Sequence, residues 1–157
     1  MNKRSLSPVS LTDIISAETT SLNCEVQSWE EAVIIAGKLL HEGGYVEERY
    51  IPAMVQTVRE LGPYIVITPN VALPHARPDD GAIKPGMSLV TLKTPVDFGN
   101  DANDPVKLVI AFATIDHDAH VAALSKLAEV LGNRQHIEQL IEAKTYSDVV
   151  KVLACYD

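Results

Sequence analysis

From Ser28 to Leu40 the apolar residues recur at helical spacing, with Ala32, Val33, Ala36, Leu39 and Leu40 on one face. Ser28 precedes Glu31 by three positions, the spacing of a capping box, and Gly43-Gly44 follows the last apolar position, so the pattern predicts a helix marked at both ends. A second helix is predicted from about Glu47 to Leu61, stopped by Gly62-Pro63. The pattern then changes: YIVI at 64–67 and VAL at 71–73 read as short buried strands on either side of Thr68-Pro69-Asn70.

The two strongest strand signals are MSLVTLKTPV at 87–96 and VKLVIAFATI at 106–115, separated by DFGNDANDP, whose Gly, Asn, Asp and Pro mark a loop. Three helices follow. The first runs from Asp116 or Asp118 to Leu131 with Gly132 as its stop, the second from about Asn133 to Glu142, and the third from Thr145 towards the end of the chain. Thr145 and Asp148 have capping-box-like spacing. Helices before, between and after strands imply an α/β class: a small mixed central sheet with helices packed on its faces. Strand order does not follow from the pattern. With no internal repeat or linker, residues 1–157 read as one domain.

Composition narrows the function classes. Lys and Arg total 13 against 21 Asp and Glu, and the formal charge of −8 argues against nucleic acid or an anionic membrane surface as partner. The apolar run LVIAFA at 108–113 is too short to span a bilayer, and the N-terminal residues lack the apolar stretch of a signal peptide. Cys24 and Cys155 form neither a CxxC nor a disulfide framework, which fits a reducing, cytoplasmic setting. The motifs of nucleotide sites, GxxxxGK[ST] and GxGxxG, do not occur, nor does the GxSxG of serine hydrolases. No cofactor is therefore called for.

Five histidines are left to carry chemistry. His41 ends the first predicted helix, where an imidazolium suits the helix dipole, and His136 is expected on a solvated face. His117 and His120 fall in the first turn of the helix after VKLVIAFATI. The stripe 117, 120, 124, 127, 131 continues as Leu124, Leu127 and Leu131, which points His120 inward, either as a core histidine or towards a site at the sheet edge. A helix N-terminus favours neutral imidazole and attracts anions, phosphate among them.

His75 is different, because it lies in VALPHARP between two prolines. Pro74 lacks an amide proton and biases Leu73 away from helix, so the motif leaves an extended segment and presents the histidine on a connection. If the strand ending at Pro74 lies beside VKLVIAFATI, His75 and His120 come together. His75, His117 and His120 can also be drawn as a His₃ metal set, but the HExxH signature is absent. The remaining chemistry is histidine as nucleophile: one ring nitrogen holds its proton against a carbonyl while the other accepts a phosphoryl group and passes it on. Positioning and charge neutralisation then do most of the work, with Arg77 and the His120 N–H as candidates.

At these residues the chain resembles the enzyme IIA domains of the mannitol and fructose branch of the bacterial phosphoenolpyruvate-dependent sugar phosphotransferase system. The resemblance is carried by the capped first helix, Tyr50-Ile51-Pro52-Ala53-Met54, Val71-Ala72-Leu73-Pro74-His75-Ala76, Phe98-Gly99, the strand ending at Ile115, and His120-Val121 with its leucine helix. The stretch GPYIVITPNVALPHARP is similar to the subgroup associated with L-ascorbate uptake. The resemblance implies a mannitol-type enzyme IIA sandwich, His75 as the phosphorylated residue and His120 as the partner that steadies the phosphoryl group. It further implies the phosphocarrier HPr as donor and a cysteine of a cognate enzyme IIB as acceptor. His117 matches no histidine of the family.

Two departures stand out. The resemblance to the mannitol branch implies an arginine shortly after the Ala-Met pair, where this chain has Thr57 with Arg59 two positions on, and a glycine usual before the motif is replaced in Thr68-Pro69-Asn70. Arg77 and Arg59 are both candidates for the phosphate-supporting arginine. A regulatory enzyme IIA, whose phosphorylation state a partner protein reads, would use the same chemistry at His75. The sequence leaves homodimerisation open.

Overall fold

The computed structural model describes residues 10–115 and 117–157, with the side chains of residues 117–120 outside that description. Its centre is the antiparallel pair β4 (Gly86–Val96) and β5 (Val106–Ala113), in which Leu89 faces Ile110 and Val90 faces Val109. β1 (Thr20–Cys24) adds to β4 in parallel. On the other side β3 (Val71–Ala72) pairs in parallel with β5, and β2 (Val66–Thr68) pairs antiparallel with β3. The order β1-β4-β5-β3-β2 makes a five-stranded mixed sheet.

Side chains alternate across a strand, so β4 and β5 each feed two cores. Val90, Leu92, Val109, Ala111 and Ala113 pack towards α2 (Trp29–Glu42) and α3 (Tyr50–Leu61). Met87, Leu89, Leu108, Ile110 and Phe112 pack on the opposite face, against α1 (Leu11–Ile14), α4 (His117–Leu131), α5 (Arg134–Glu142) and α6 (Tyr146–Leu153). Both faces being covered explains why β5 reads as a nearly continuous apolar run and why even Ser88 and Thr91 of β4 are buried. The buried hydroxyls are satisfied: Ser88 Oγ donates to Ala36 O at 2.8 Å, and Thr91 Oγ1 accepts Asn23 N–H at 2.7 Å. Helices α2 and α3 approach closely at Gly37, where a Cβ would lie 2.7 Å from Met54 Cε.

Several boundaries differ from the sequence expectation. The second helix begins at Tyr50 rather than Glu47, because Glu47 donates its N–H to Gly81 O at 2.8 Å and Val46 bridges Ala82. The strand expected at 64–67 starts only at Val66: Gly62, with φ of +77°, and Pro63 turn residues Pro63–Ile65 into a 3₁₀ turn. Strand β1 and helix α1 were not legible. TSLNC is polar for a strand and interrupted at Asn23, whose φ is +59°, and a four-residue helix has no period to detect. His136 is half-buried rather than solvated, and its Nδ1 is hydrogen-bonded to the hydroxyl of Tyr156.

Helix α1 is tied down by Asp157. Its carboxylate accepts from Leu11 N–H at 2.7 Å, Thr12 Oγ1 at 2.7 Å and Ser10 Oγ at 2.9 Å. Burial pushes this carboxyl up, but the hydrogen bonds from Thr12, Leu11 and Ser10 outweigh it and hold its pKa below the ordinary 3.8. A depressed folded-state pKa contributes stability above the ordinary value and loses it as pH falls through the folded one. Asp157→Asn is therefore expected to be less stable than the parent at pH 7, with the gap closing below about pH 4. Urea melts of both proteins across this range check it, and a gap that stays constant with pH contradicts the assignment.

Candidate phosphotransfer site

The site forms where the VALPHARP segment leaves β3. Leu73 donates its N–H to Ile65 O at 2.9 Å and Pro74 O accepts Phe112 N–H at 3.3 Å, so the chain stays extended beside β5 as far as His75, which bridges Phe112 in parallel. Pro74 needs no partner for a missing amide proton and can lie buried at this edge. Pro78 then starts a 3₁₀ turn (Pro78–Asp80), inside which Asp80 Oδ2 accepts Arg77 N–H at 3.0 Å. Arg49 Nη1 donates to Asp79 O at 2.9 Å and ties this turn to the start of α3.

His75 is half-buried. Its Nδ1 lies 3.0 Å from Leu73 O. A carbonyl only accepts, so in the neutral ring Nδ1 carries the proton and Nε2 keeps its lone pair. The ring lies on Phe112, with centroids 4.6 Å apart and an interplanar angle of 20°. One face and one nitrogen are thus fixed by the fold, and the other nitrogen is left for chemistry.

The cleft beside His75 has a volume of about 570 Å³. Ala53, Gln56, Thr57 and Glu60 line it from one stripe of α3, and Arg77 and Asp80 line it from the turn. Arg77 is the cation among these residues, and Glu60 and Asp80 are the carboxylates. Thr57 donates its hydroxyl to Ala53 O at 2.9 Å, which leaves only lone pairs for the cleft. Ala76 N–H and Arg77 N–H are both taken, by Tyr50 Oη at 3.0 Å and by Asp80. An anion on Nε2 would therefore be met by side chains rather than by the amides that follow the histidine.

Of the two candidate arginines, the fold brings Arg77 to the cleft and not Arg59. Arg59 lies on another face of α3, 3.8 Å from Glu30 Oε2 and over the Trp29 ring at 5.9 Å. Thr57 does line the cleft. β3 and β5 run side by side, with Val71 opposite Leu108 and Ala72 opposite Val109, so the chain ends leading to His75 and to α4 are neighbours. The side chains of His117 and His120, on which the two-histidine site and the His₃ set both depend, lie outside the described residues. His41 is remote in role: its Nδ1 donates to Val46 O at 3.0 Å in the loop after α2.

Tyr50 was given no role from sequence, though it opens a motif that carries the resemblance. It is 1% exposed, and its hydroxyl lies 2.9 Å from Phe112 O and 3.2 Å from Ala76 O. Burial pushes its pKa up to about 12, opposed by the hydrogen bond from Ala76 and reinforced by the Asp80 carboxylate. The phenol is neutral at any physiological pH. An aromatic residue with a polar tip at the start of a core helix was the available signal.

Residues 13–155 match the model of the phosphoenolpyruvate-dependent sugar phosphotransferase system EIIA 2 family. The ascorbate-specific PTS system EIIA component of Escherichia coli (strain K12) is 37% identical over 133 residues, covering 84% of this chain and 86% of its own. The mannitol-specific cryptic phosphotransferase enzyme IIA component of the same strain is 35% identical over 145 residues, covering 92% and 97%. The solution structure of that cryptic enzyme IIA from Escherichia coli superposes with a TM-score of 0.83 at 34% identity, covering 94% of this chain and 99% of that one. The enzyme IIA of the Escherichia coli mannitol system, solved in complex with phosphorylated enzyme IIB, gives 0.79 at 29% identity, covering 90% and 97%. Enzyme IIA components are phosphotransferase components of this system, and a family match spanning most of the chain goes with the expected mixed sheet and its flanking helices. This chain belongs to the EIIA type-2 family of the phosphoenolpyruvate-dependent sugar phosphotransferase system.

Proposed function

We propose that the chain is a cytoplasmic relay that takes a phosphoryl group from phospho-HPr onto Nε2 of His75 and hands it to a cysteine of a cognate enzyme IIB, in service of L-ascorbate uptake. The observation that carries this reading is the Nδ1 contact to Leu73 O at 3.0 Å, which leaves Nε2 as the nucleophile beside an open cleft. In the first step the Nε2 lone pair forms a bond to phosphorus as the donor's N–P bond breaks and its electron pair returns to the donor ring. In the second, a thiolate of enzyme IIB forms an S–P bond while the Nε2–P bond breaks, restoring the neutral imidazole. The proton stays on Nδ1 throughout, donated to Leu73 O. Arg77 offsets phosphoryl charge from the turn, and His120, on the first turn of α4, steadies the group.

The presence of Glu60 and Asp80 in the same cleft favours passage over storage, since two carboxylates repel a resident dianion. The ascorbate assignment draws on the 37% identical relative, whose name carries that substrate. Incubating the ³²P-labelled protein with an ascorbate-type enzyme IIB, and separately with a mannitol-type one, tests it. Label is expected to move to the ascorbate-type cysteine faster. Preferential transfer to the mannitol type reassigns the sugar, and a labelled protein that discharges to neither enzyme IIB supports the regulatory role in place of transport.

A further inference from the structure

A single buried hydroxyl joins the two walls of the His75 site. A phenol has one proton to give and lone pairs to accept with. Tyr50 Oη accepts Ala76 N–H at 3.0 Å, and its proton is directed between Phe112 O at 2.9 Å and Ala76 O at 3.2 Å. Ala76 follows the histidine, and Phe112 supplies the ring on which the imidazole lies. A longer bond, Phe112 N–H to Pro74 O at 3.3 Å, joins the same two segments one residue before His75. The histidine is therefore bracketed, with a backbone tie to β5 before it and a phenol tie to β5 after it.

We propose that Tyr50 is a positioning residue for phosphoryl transfer, its hydroxyl holding the His75 loop against β5 so that the imidazole stays flat on Phe112 with Nδ1 on Leu73 O and Nε2 towards the cleft. The inference rests on the reading of His75 as phosphoryl acceptor. If the loop lifts, the bond from Nδ1 to Leu73 O loosens and the proton can move to Nε2, which silences the nucleophile. Tyr50 does not touch the phosphoryl group, and its effect passes through His75. In-line transfer is sensitive to such shifts: a misplacement of about 1 Å can cost about 100-fold in rate.

Tyr50→Phe keeps the ring in the core and removes only the hydroxyl. Labelling kinetics from ³²P-phosphoenolpyruvate, the general phosphotransferase enzymes and HPr are expected to show a maximal rate at least about 10-fold lower, with half-saturation by phospho-HPr little changed. In the unphosphorylated protein, ¹⁵N NMR of the His75 ring is expected to change from a single Nδ1–H tautomer to a mixture, which a purely structural tyrosine would not cause. A variant with the parent's maximal rate and tautomer overturns the proposal. If the variant does not fold, hydrogen exchange in the parent decides: an Ala76 amide that exchanges as fast as an open loop overturns it, and a protected one supports it. A parent protein that takes no label refutes the His75 reading and with it the positioning role, whereas a labelled parent matched by its variant refutes only Tyr50.

Discussion

His75→Ala is expected to take up no phosphoryl group from phosphoenolpyruvate and the general phosphotransferase components, whereas the parent protein is expected to gain one, acid-labile and alkali-stable. The expected effect is total because the nucleophile itself is removed, and no other histidine among those described has a free ring nitrogen at the cleft. His41 sits in the last turn of α2, bonded to Val46 O, and His136 lies against Tyr156, so His41→Ala and His136→Ala are expected to label like the parent. The fold of His75→Ala should persist, since the side chain is half-buried and closes no core. Autoradiography of the four proteins before and after acid treatment reads the result. Retained label in His75→Ala moves the phosphorylated residue elsewhere and dismantles the relay.

The largest effect on stability is expected at Ile110. It is fully buried in β5, at the centre of the sheet, and packs in the cluster that also holds Leu89, Leu108 and Leu127. Ile110→Ala removes buried methylene and methyl groups and leaves a void that rigid neighbours on both strands fill poorly, at a cost of about 2–5 kcal/mol. Against a total stability of about 5–15 kcal/mol this is a large share. Urea unfolding should show a midpoint lowered by about 1–2 M with unchanged slope. By contrast Ile115 is 50% exposed, and alanine there should shift the midpoint little. Equal shifts at the two positions would contradict the two-core description.

The acidic chain and its weakly charged site bear on docking. Leu61, which borders the cleft, is 55% exposed, and Tyr64 and Ile67 beyond it are 84% and 50% exposed. An apolar rim beside the His75 cleft suits brief encounters, because apolar contact is not specific to one charge pattern.

The longer helices were legible because each carries its own apolar period or end signals. The Ser28 hydroxyl accepts Glu31 N–H at 3.3 Å, and Thr145 with Asp148 forms the reciprocal box that their spacing predicts. The long strands were legible because burial on both faces fills them largely with apolar and β-branched residues. Strand β1 was not, since its pairing with β4 depends on a distant segment rather than on its own polar residues. Arg59 and Arg77 could not be separated by position along the chain. Only the rotation of α3 decided, turning Gln56, Thr57 and Glu60 to the cleft and Arg59 towards Glu30.

By itself the sequence determined the class of the fold and singled out His75 as the residue expected to react. Helix caps, strand composition and a histidine between prolines are local features that the chain writes out in order. The tertiary structure alone decided which nitrogen of His75 is free, which arginine stands nearby, and that Tyr50 joins the loop to β5. Those facts depend on distances between residues as much as 62 positions apart, and chain order does not encode them.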